Sequence, residues 1–316
     1  MMKGSNTMLN IAQQVSRLCG AAVVALGVAA SANAADLTVK HAQGETAVPA
    51  SPTKVLVFDL GTLDNLDRLG VKVTGVPSGI SFPEYMKKYQ GDEYVKIGTL
   101  FEPDYEAVNA AEPDLIIVAG RSAAKYGELS KIAPTIDLTT NAKNFIVDTE
   151  ANVEKLGQIF GKEAKAKAEV EKLDAALAAL KEKAANKGTG LLILTSGGKI
   201  SAYGPGSRFG VLHESFGVKP AAPDLSTGNH GQPASSEFIL ETNPDWLFVI
   251  DRDAAIGREG NSAKQVLDND LVRQTNAWKK DQVVYLNAQN WYLVGGGLGA
   301  LHGTVDQLSQ AFDKAK

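Results

Sequence analysis

Three arginines that follow apolar runs are among the residues best suited to chemistry in this sequence. Arg121 ends DLIIVAGR, Arg252 ends WLFVIDR, and Arg208 lies in the loop SAYGPGSRFG. In open α/β sheets ligands bind beyond the carboxyl ends of the strands, so these positions predict one shared site. Because an arginine is permanently charged and planar, three of them in one cleft predict an anionic ligand rich in oxygen.

A histidine and an aromatic pair occur in two further loops. His230 lies in STGNHGQP, and Trp291 and Tyr292 follow QVVYLN. Imidazole and tyrosinate form a donor pair that suits Fe(III) better than Mg²⁺ or Ca²⁺. Two protein ligands leave four octahedral positions, which a tetradentate ligand such as two catecholates would fill. Two catecholates on Fe(III) carry a net charge of about −1 and three carry about −3, and both anions would attract the arginines.

Each of these residues also has a purely structural interpretation. His230 fits a solvated loop residue, and Tyr292 beside Trp291 fits a core aromatic. Arginines at strand ends often pair with carboxylates, and Asp59 and Asp251 stand close to strand ends here. The residues alone leave these alternatives open.

Apolar runs rich in β-branched residues alternate with helical patterns along the chain. Their continuous apolar character is typical of strands buried on both faces, as in a parallel sheet. The alternation predicts the α/β fold class. The predicted strands are 54–60, 72–76, 95–98, 114–120, 191–197, 245–251 and 282–287, and the helical patterns are 62–69, 104–111, 123–130, 208–216 and 235–242.

An internal repeat divides the sequence into two similar halves. The string from Glu106 to Arg121 and the string from Glu237 to Arg252 share a glutamate, a Pro-Asp pair, an apolar run and an arginine at identical spacing. A recurrence of the whole frame predicts two homologous Rossmann-like lobes. The two glutamates are also compatible with simple surface charges at helix starts, where the helix dipole favours a carboxylate.

A long helix is predicted between the halves. Residues 163–186 are rich in Ala, Glu, Lys and Leu and contain no Gly or Pro, so their helix propensity is high. We expect an N-terminal lobe over 35–162, a single linker helix over 163–186 and a C-terminal lobe over 187–316, with the ligand in the cleft between the lobes.

The first 34 residues predict a signal peptide. Lys3 and Arg17 are their only charges, an apolar stretch follows, and Ala32 and Ala34 form an A-x-A cleavage site. The apolar stretch is shorter than the roughly 20 residues that a membrane-spanning helix needs. We expect cleavage after Ala34 and a soluble periplasmic protein.

The predicted mature chain has no cysteine, because Cys19 lies in the signal segment. Arg17 stands two residues before Cys19, and no apolar run precedes this cysteine. Both features argue against an acylated lipoprotein cysteine. The mature chain holds 30 basic and 36 acidic residues, a net charge near −6. That balance argues against a nucleic-acid partner.

Five strings together resemble a known family. PDLIIVAGR, SAYGPGSRFG, HGQPASSEFILETNPD, LDNDLV and NWYLVGGG resemble the class III, helical-backbone periplasmic binding proteins of ABC importers, in particular the receptors for ferric catecholate siderophores. The resemblance implies that the three arginines hold the catecholate oxygens by charge, and we expect Trp291 to contact the ligand as well. The resemblance also implies that His230 and Tyr292 complete the iron shell when the siderophore offers only four donors.

The same resemblance implies partners. Glu106 and Glu237, one in each lobe, resemble the glutamates that dock on arginines of the inner-membrane permease dimer. We expect a monomer with no permanent cofactor, whose transported ligand is an Fe(III)–siderophore. One departure is Arg258 in the loop after Arg252, since either arginine could face the cleft, although the position in the string favours Arg252.

Other functions fit the sequence less well. Haem and cobalamin receptors of the same fold are the nearest alternatives, whereas a bare-metal receptor would want a cluster of ligands, and the four histidines at 41, 213, 230 and 302 are not clustered. A hydrolase would want a G-x-S-x-G elbow, which is missing. The glycine run 295–299 lacks the strand–turn–helix context of a dinucleotide site. We therefore predict a binding protein and not an enzyme.

Overall fold

The computed structural model describes residues 36–315. The strands are β1 (Leu37–His41), β2 (Gly44–Val48), β3 (Val55–Val57), β4 (Gly75–Val76), β5 (Val95–Lys96), β6 (Leu115–Val118), β7 (Thr135–Asp137), β8 (Thr189–Ser196), β9 (Lys199–Tyr203), β10 (Lys219–Pro220), β11 (Gln232–Ala234), β12 (Trp246–Asp251) and β13 (Val283–Tyr285). The α-helices are α1 (Leu60–Leu69), α2 (Tyr105–Ala110), α3 (Tyr126–Leu129), α4 (Phe145–Ile159), α5 (Glu163–Ala184), α6 (Val211–Glu214), α7 (Ser236–Thr242), α8 (Arg252–Ala255), α9 (Ala263–Leu267), α10 (Asn276–Lys279) and α11 (Leu298–Lys314). Short 3₁₀ turns cover Glu84–Gln90, Gly120–Lys125, Ala142–Asn144 and Val272–Gln274, and a π-helical turn covers Asn290–Val294.

The first sheet is parallel throughout, in the order β5-β4-β3-β6-β7. Strand β6, an inner strand between β3 and β7, reads LIIV, and all four of its side chains are fully buried. Helices and turns cover both faces of such a strand, which explains why the sequence shows a continuous apolar run rather than alternation. The hairpin of β1 and β2 forms a separate two-stranded antiparallel sheet.

The second sheet has a parallel centre and an antiparallel side. Its order is β11-β9-β8-β12-β13, and β10 pairs with the start of β8. Strands β8, β12 and β13 are parallel, whereas β9 runs antiparallel to both β8 and β11. The α/β fold class predicted from the sequence is confirmed.

The sequence repeat has an atomic counterpart in the two sheets. Asp114 accepts hydrogen bonds from the backbone N–H groups of Thr53 and Lys54, each at 2.9 Å, just before β3. Asp245 accepts from the backbone N–H of Thr189 at 3.0 Å, at the start of β8. The residue before each Pro-Asp pair has a left-handed backbone, with φ of 46° at Glu112 and 42° at Asn243. The two frames therefore fold in the same way as well as sharing a spacing.

Helix α5 stands between the two sheets in sequence and packs against α4 and α11. Its buried residues recur at helical spacing and include Leu173, Leu177 and Leu180. Helix α11 closes the chain and packs against both α5 and α1, so one large apolar cluster extends through these helices. The lobe boundaries at 162 and 187 stay a prediction.

Several elements differ from the prediction. The helical pattern over 123–130 forms a 3₁₀ turn followed by the four-residue α3, and the pattern over 208–216 shortens to α6. The signal segment 1–34, its cleavage site and Cys19 lie outside the described residues. Within residues 36–315, no helix combines the length and the apolar character that a membrane span needs.

Candidate ligand-binding site

A cavity of about 770 Å³ opens beside the carboxyl ends of strands from both sheets. Its volume lies within the range typical of small-molecule sites. The six residues predicted to bind ligand or metal all line it: Arg121, Arg208, His230, Arg252, Trp291 and Tyr292. Glu106 and Glu237 do not belong to its lining.

The arginines reach the cavity because of where their strands end. Arg121 lies in the 3₁₀ turn that begins two residues after the end of β6, and the backbone N–H of Gly120 in this turn donates to the hydroxyl of Thr139 at 2.8 Å. Arg252 is the first residue of α8, directly after β12, and its N-cap Asp251 accepts from the N–H of Ala254 at 3.0 Å. Both side chains therefore stand at the sheet edge where ligands bind in open α/β folds.

Tyr292 is the point on which the three arginines converge. Its backbone carbonyl accepts hydrogen bonds from Arg121 and, at 3.0 Å, from Nη2 of Arg208. Its hydroxyl accepts from Nε of Arg252 at 2.8 Å. The three guanidinium carbons lie 4.7–5.4 Å from the centroid of its ring. This single residue thus touches arginines contributed by both halves of the chain.

The local backbone explains how Tyr292 presents both groups. It lies in the π-helical turn Asn290–Val294, a rare geometry that is common at functional sites. Gly295 ends this turn with φ of 58°, a left-handed conformation that glycine adopts without strain. Gly297 approaches Asp64 so closely that a Cβ atom would collide with the carboxylate.

The arginine charges are only weakly compensated by carboxylates. Among the described residues, neither Arg121 nor Arg208 forms a salt bridge, and Arg252 comes no closer than 3.9 Å to a carboxylate oxygen, on Asp253. The predicted alternative, that the arginines pair with Asp59 or Asp251, therefore does not hold as a direct ion pair. Asp59 instead caps α1 through the N–H of Thr62 at 2.8 Å.

Electrostatics within the cluster favour an anion. Burial lowers the pKa of Arg121, the positive charge of Arg208 lowers it further, and the nearby Asp59 opposes the shift. Positive charges held together at such short range repel one another unless a negative charge enters. The cavity is therefore prepared for an anionic ligand.

The same charges act on the phenol of Tyr292. Burial by itself would raise the pKa of Tyr292, but the hydrogen bond from Arg252 and the charges of the three arginines outweigh burial and lower it. A lowered pKa makes the phenolate easier to form, and the phenolate is the form that binds a metal ion. Tyr292 is thus a group able to donate a negative oxygen into the cavity.

His230 and Trp291 differ sharply in exposure. His230 is exposed in the loop before β11, at the cavity wall. Trp291 is only 7 % exposed, and its ring packs edge-on against Phe216 at 5.9 Å and Phe209 at 6.3 Å. Trp291 therefore shapes the wall mainly by packing. Within residues 36–315, no group of three or more His, Cys, Asp or Glu side chains is arranged to hold a metal ion.

The choice between Arg252 and Arg258 follows from the geometry. Arg252 lines the cavity and also donates to the hydroxyl of Ser196 at 3.2 Å. Arg258 exposes 62 % of its side chain and lies 4.0 Å from Asp253. Arg252 is the arginine that faces the cavity.

Glu106 and Glu237 occupy matching positions outside the cavity. Each is the second residue of its helix, α2 or α7, and each is exposed. The N-caps Asp104 and Ser235 accept from the backbone N–H three residues on, at 3.0 Å and 3.3 Å. A carboxylate is favourable in the first turn, so each glutamate rests on a stable helix end.

Sequence reasoning missed a polar wall contributed by the first half of the chain. Its members are Thr62, Asn65, Thr139, Thr140, Thr149 and Asn152. Thr139 and Thr140 follow the short strand β7, which the apolar pattern did not reveal. Had that strand been predicted, the rule that ligands bind beyond strand ends would have placed both threonines at the site. Phe101, also in the lining, follows the predicted strand 95–98, but as a single apolar residue in a loop it carried no chemical signal.

The chain is similar to proteins of known type over most of its length. The family model for periplasmic binding protein matches residues 55–290. Petrobactin-binding protein YclQ of Bacillus subtilis is 44% identical over 284 residues, which cover 88% of this chain and 89% of that protein. Ferric-anguibactin-binding protein FatB of Vibrio anguillarum is 31% identical over 282 residues, 87% of each chain.

Solved structures agree with these similarities. The crystal structure of YclQ matches with a TM-score of 0.86 at 43% identity and covers 88% of this chain and 99% of that one. The periplasmic catecholate-siderophore binding protein VctP of Vibrio cholerae matches with a TM-score of 0.82 at 33% identity, covering 87% and 99%.

Proposed function

This chain belongs to the periplasmic binding protein family, and we propose that it is the receptor that delivers a ferric catecholate-type siderophore to an ABC importer. The relatives named above bind petrobactin, ferric anguibactin and catecholate siderophores. The Fe(III)–siderophore is cargo, and the protein binds and releases it without turnover.

The observation that carries the proposal is the convergence of three arginines on Tyr292 in one cavity. Their guanidinium groups have more N–H donors than Tyr292 can accept. Catecholate oxygens bound to Fe(III) are negatively charged acceptors, so they match the unused donors and relieve the repulsion between the arginines. A neutral cargo would do neither.

Tyr292 and His230 extend this proposal to the metal. When a bis-catecholate supplies four oxygens, these two side chains supply the remaining donors to Fe(III). The lowered pKa of Tyr292 supports the role, because a phenolate is available at lower cost. When a tris-catecholate supplies all six oxygens, the arginines alone hold the complex by charge.

The proposed function also includes docking to the permease. Glu106 and Glu237 would each contact a basic residue of a two-fold permease, which their matched positions in the repeat support. The receptor would act as a monomer in the periplasm after cleavage behind Ala34.

A fluorescence titration tests the function. Ferric bis-catecholamide, ferric tris-catecholamide, haem and cobalamin are each titrated into the purified mature chain while tryptophan emission is recorded. Ferric catecholates should quench the emission at submicromolar concentration, because Trp291 lines the cavity. Tighter binding of haem or cobalamin than of both ferric catecholates would favour those receptor classes instead.

A pair of tryptophan variants shows which tryptophan reports the binding of the ligand. Trp291→Phe should remove most of the quenching, whereas Trp278→Phe, in α10 and outside the cavity lining, should leave it. Equal quenching in both variants would mean that the ligand binds elsewhere.

A further inference from the structure

Phe101 is an exposed aromatic side chain in the cavity lining. It is 57 % exposed, although it belongs to the residues that line the cavity. A single exposed apolar side chain on an open surface needs no explanation. Its position at the rim of a ligand cavity is what distinguishes Phe101, because a bound ligand would cover it.

Two other phenylalanine rings of the cavity, Phe209 and Phe216, are already occupied by packing. Phe209 is 4 % exposed and Phe216 is 1 % exposed, and both contact the ring of Trp291. At Phe209, by contrast, the Arg208 guanidinium lies 4.9 Å from the ring centroid. Within residues 36–315, no aromatic ring or cation makes a contact of this kind with Phe101. Phe101 therefore keeps its aromatic surface free for a ligand.

The backbone around Phe101 is tightly held. The hydroxyl of Thr99 accepts from the N–H of Phe101 at 3.2 Å and from the N–H of Glu102 at 3.0 Å. The N–H of Thr99 donates to the carbonyl of Glu102 at 2.8 Å, and Gly98 forms an isolated β-bridge with Pro103.

A second loop anchors this turn. The backbone N–H and the hydroxyl of Ser78 both donate to the carbonyl of Gly98, at 2.7 Å and 3.0 Å. Gly98 has φ of 106°, and a Cβ atom there would collide with the backbone of Glu102 and Asp104, so the turn depends on this glycine. An aromatic residue on such a turn loses little conformational entropy when it contacts a ligand.

We propose that Phe101 is a specificity-determining residue that packs against an aromatic ring of the bound ferric catecholate. The inference rests on the proposed function and refines it. The arginine cluster holds the charged catecholate oxygens, and Phe101 contacts the apolar ring surface that those oxygens leave uncovered. Receptor selectivity for aryl over non-aryl ferric ligands then has a physical source apart from charge.

Three variants test the role of the ring. Phe101→Ala should weaken binding of ferric bis-catecholamide about tenfold, since an aromatic pair and its buried area are lost. Phe101→Leu keeps apolar area but loses the ring, so its loss should be about threefold. Tyr105→Ala is the control, because Tyr105 is 39 % exposed nearby on α2 and lies outside the cavity lining.

The readouts separate this inference from the proposed function. Affinity is measured with the purified chain and uptake in cells, and thermal unfolding verifies that each variant folds. Unchanged affinity of Phe101→Ala overturns the inference alone, and unchanged affinity with lost uptake would assign Phe101 to the permease-facing surface instead. A wild-type chain that binds neither ferric catecholamide overturns the proposed function as well.

Discussion

The backbone carbonyl and the side-chain hydroxyl of Tyr292 accept separate hydrogen bonds, and these respond differently to mutation. Its carbonyl accepts from Arg121 and Arg208, and these bonds do not involve its side chain. Only its hydroxyl bonds to Arg252. Tyr292→Phe therefore removes the phenol oxygen while the arginine–carbonyl contacts remain, so the variant isolates the role of the phenol.

This separation gives a prediction on iron ligation. Tyr292→Phe and His230→Ala should each weaken binding of ferric bis-catecholamide by about 10- to 100-fold, because an iron donor is lost. The hexadentate tris-catecholamide should bind almost as before, because it fills the iron shell alone. Affinities of both complexes, measured by fluorescence titration, test this. Equal losses for the two ligands would exclude iron ligation.

A second prediction concerns the ionisation of Tyr292. Since the arginines lower its pKa, one tyrosine should ionise at lower pH than a free phenol, and Arg252→Gln should move that step to higher pH. A depressed pKa stabilises the fold above the unfolded-state pKa, and this contribution is lost as pH falls through the folded-state pKa. Ultraviolet difference titration of the ligand-free protein measures the step.

Tyr292→Phe provides the assignment for that titration. The early step should be missing in this variant and present in Tyr203→Phe, because burial raises the pKa of Tyr203. An early step that persists in Tyr292→Phe would refute the assignment.

Residue types and loop positions were sufficient to predict which arginines meet. The apolar runs before Arg121 and Arg252 placed both at the ends of parallel strands, and the carboxyl ends of such strands converge in this fold. Arg208 instead follows β9, an antiparallel strand that the apolar pattern did not predict. The contacts themselves could not be predicted, because the carbonyl of Tyr292 is an acceptor that carries no signal in the sequence. The burial of Trp291 was equally hidden, since it depends on Phe209 and Phe216 from distant segments.

At the element scale, α1 supplies the N-terminal cap of α11. The N-cap residue of α11 is Gly297, which has no side chain that could accept a hydrogen bond. Instead Asn65 accepts from the N–H of Leu298 at 2.8 Å, and Asp64 accepts from the N–H of Ala300 at 2.9 Å. The cap fixes the chain five residues after Tyr292, so it helps to hold the binding segment against the first half of the protein.

A third prediction follows from this cap. Asp64→Ala should lower the free energy of unfolding by about 1–2 kcal/mol, because a buried N–H loses its acceptor at a helix start. Asp64→Asn retains an acceptor oxygen and should cost less. Denaturant unfolding at pH 7 measures both. An equal cost for the two variants would mean that charge, and not capping, is what Asp64 contributes.

The role of Asp64 also predicts how the free energy of unfolding depends on pH. Burial raises the pKa of Asp64 to about 6, against the opposing effects of its hydrogen bond to Ala300 and the charge of Arg68. The folded state therefore binds this proton more tightly than the unfolded state does. The free energy of unfolding should rise by about 1 kcal/mol from pH 7 to pH 5, and Asp64→Asn should lack that increment. Other groups that titrate in this range contribute equally to the wild type and to Asp64→Asn, so their contributions cancel in the comparison. One such group is Glu150, whose pKa is raised by burial to about 7.

Long buried strands and strong helix formers were predictable, whereas short elements were not. β6 and β12 are continuous apolar runs, and α5 is rich in helix-forming residues. The three-residue β7 and β11 carry too few residues for a pattern, and tertiary pairing alone defines them. The π-helical turn at Asn290–Val294 likewise could not be predicted, since it is followed by the glycines 295–297 and is in contact with the distant helix α1.

At the scale of the whole molecule, the repeat yields two sheets with the same local frame and two exposed glutamates at equivalent helix positions. Val108 and Ile239, two residues after Glu106 and Glu237, are both fully buried. Each short helix is thus anchored by its apolar side while its glutamate faces solvent. Nothing in the cavity depends on these glutamates, so docking and ligand binding can be tested separately.

The docking prediction uses that separation. Glu106→Ala combined with Glu237→Ala should leave the affinity for ferric bis-catecholamide unchanged, because neither glutamate lines the cavity. Uptake in cells should fall by about tenfold or more, since paired charges orient the receptor on a two-fold partner. The matched control is Glu128→Ala with Glu171→Ala, which removes the same charge from side chains 62% and 67% exposed elsewhere. An equal loss of uptake in the control would reduce the effect to net charge, and normal uptake in the test pair would refute docking through these residues.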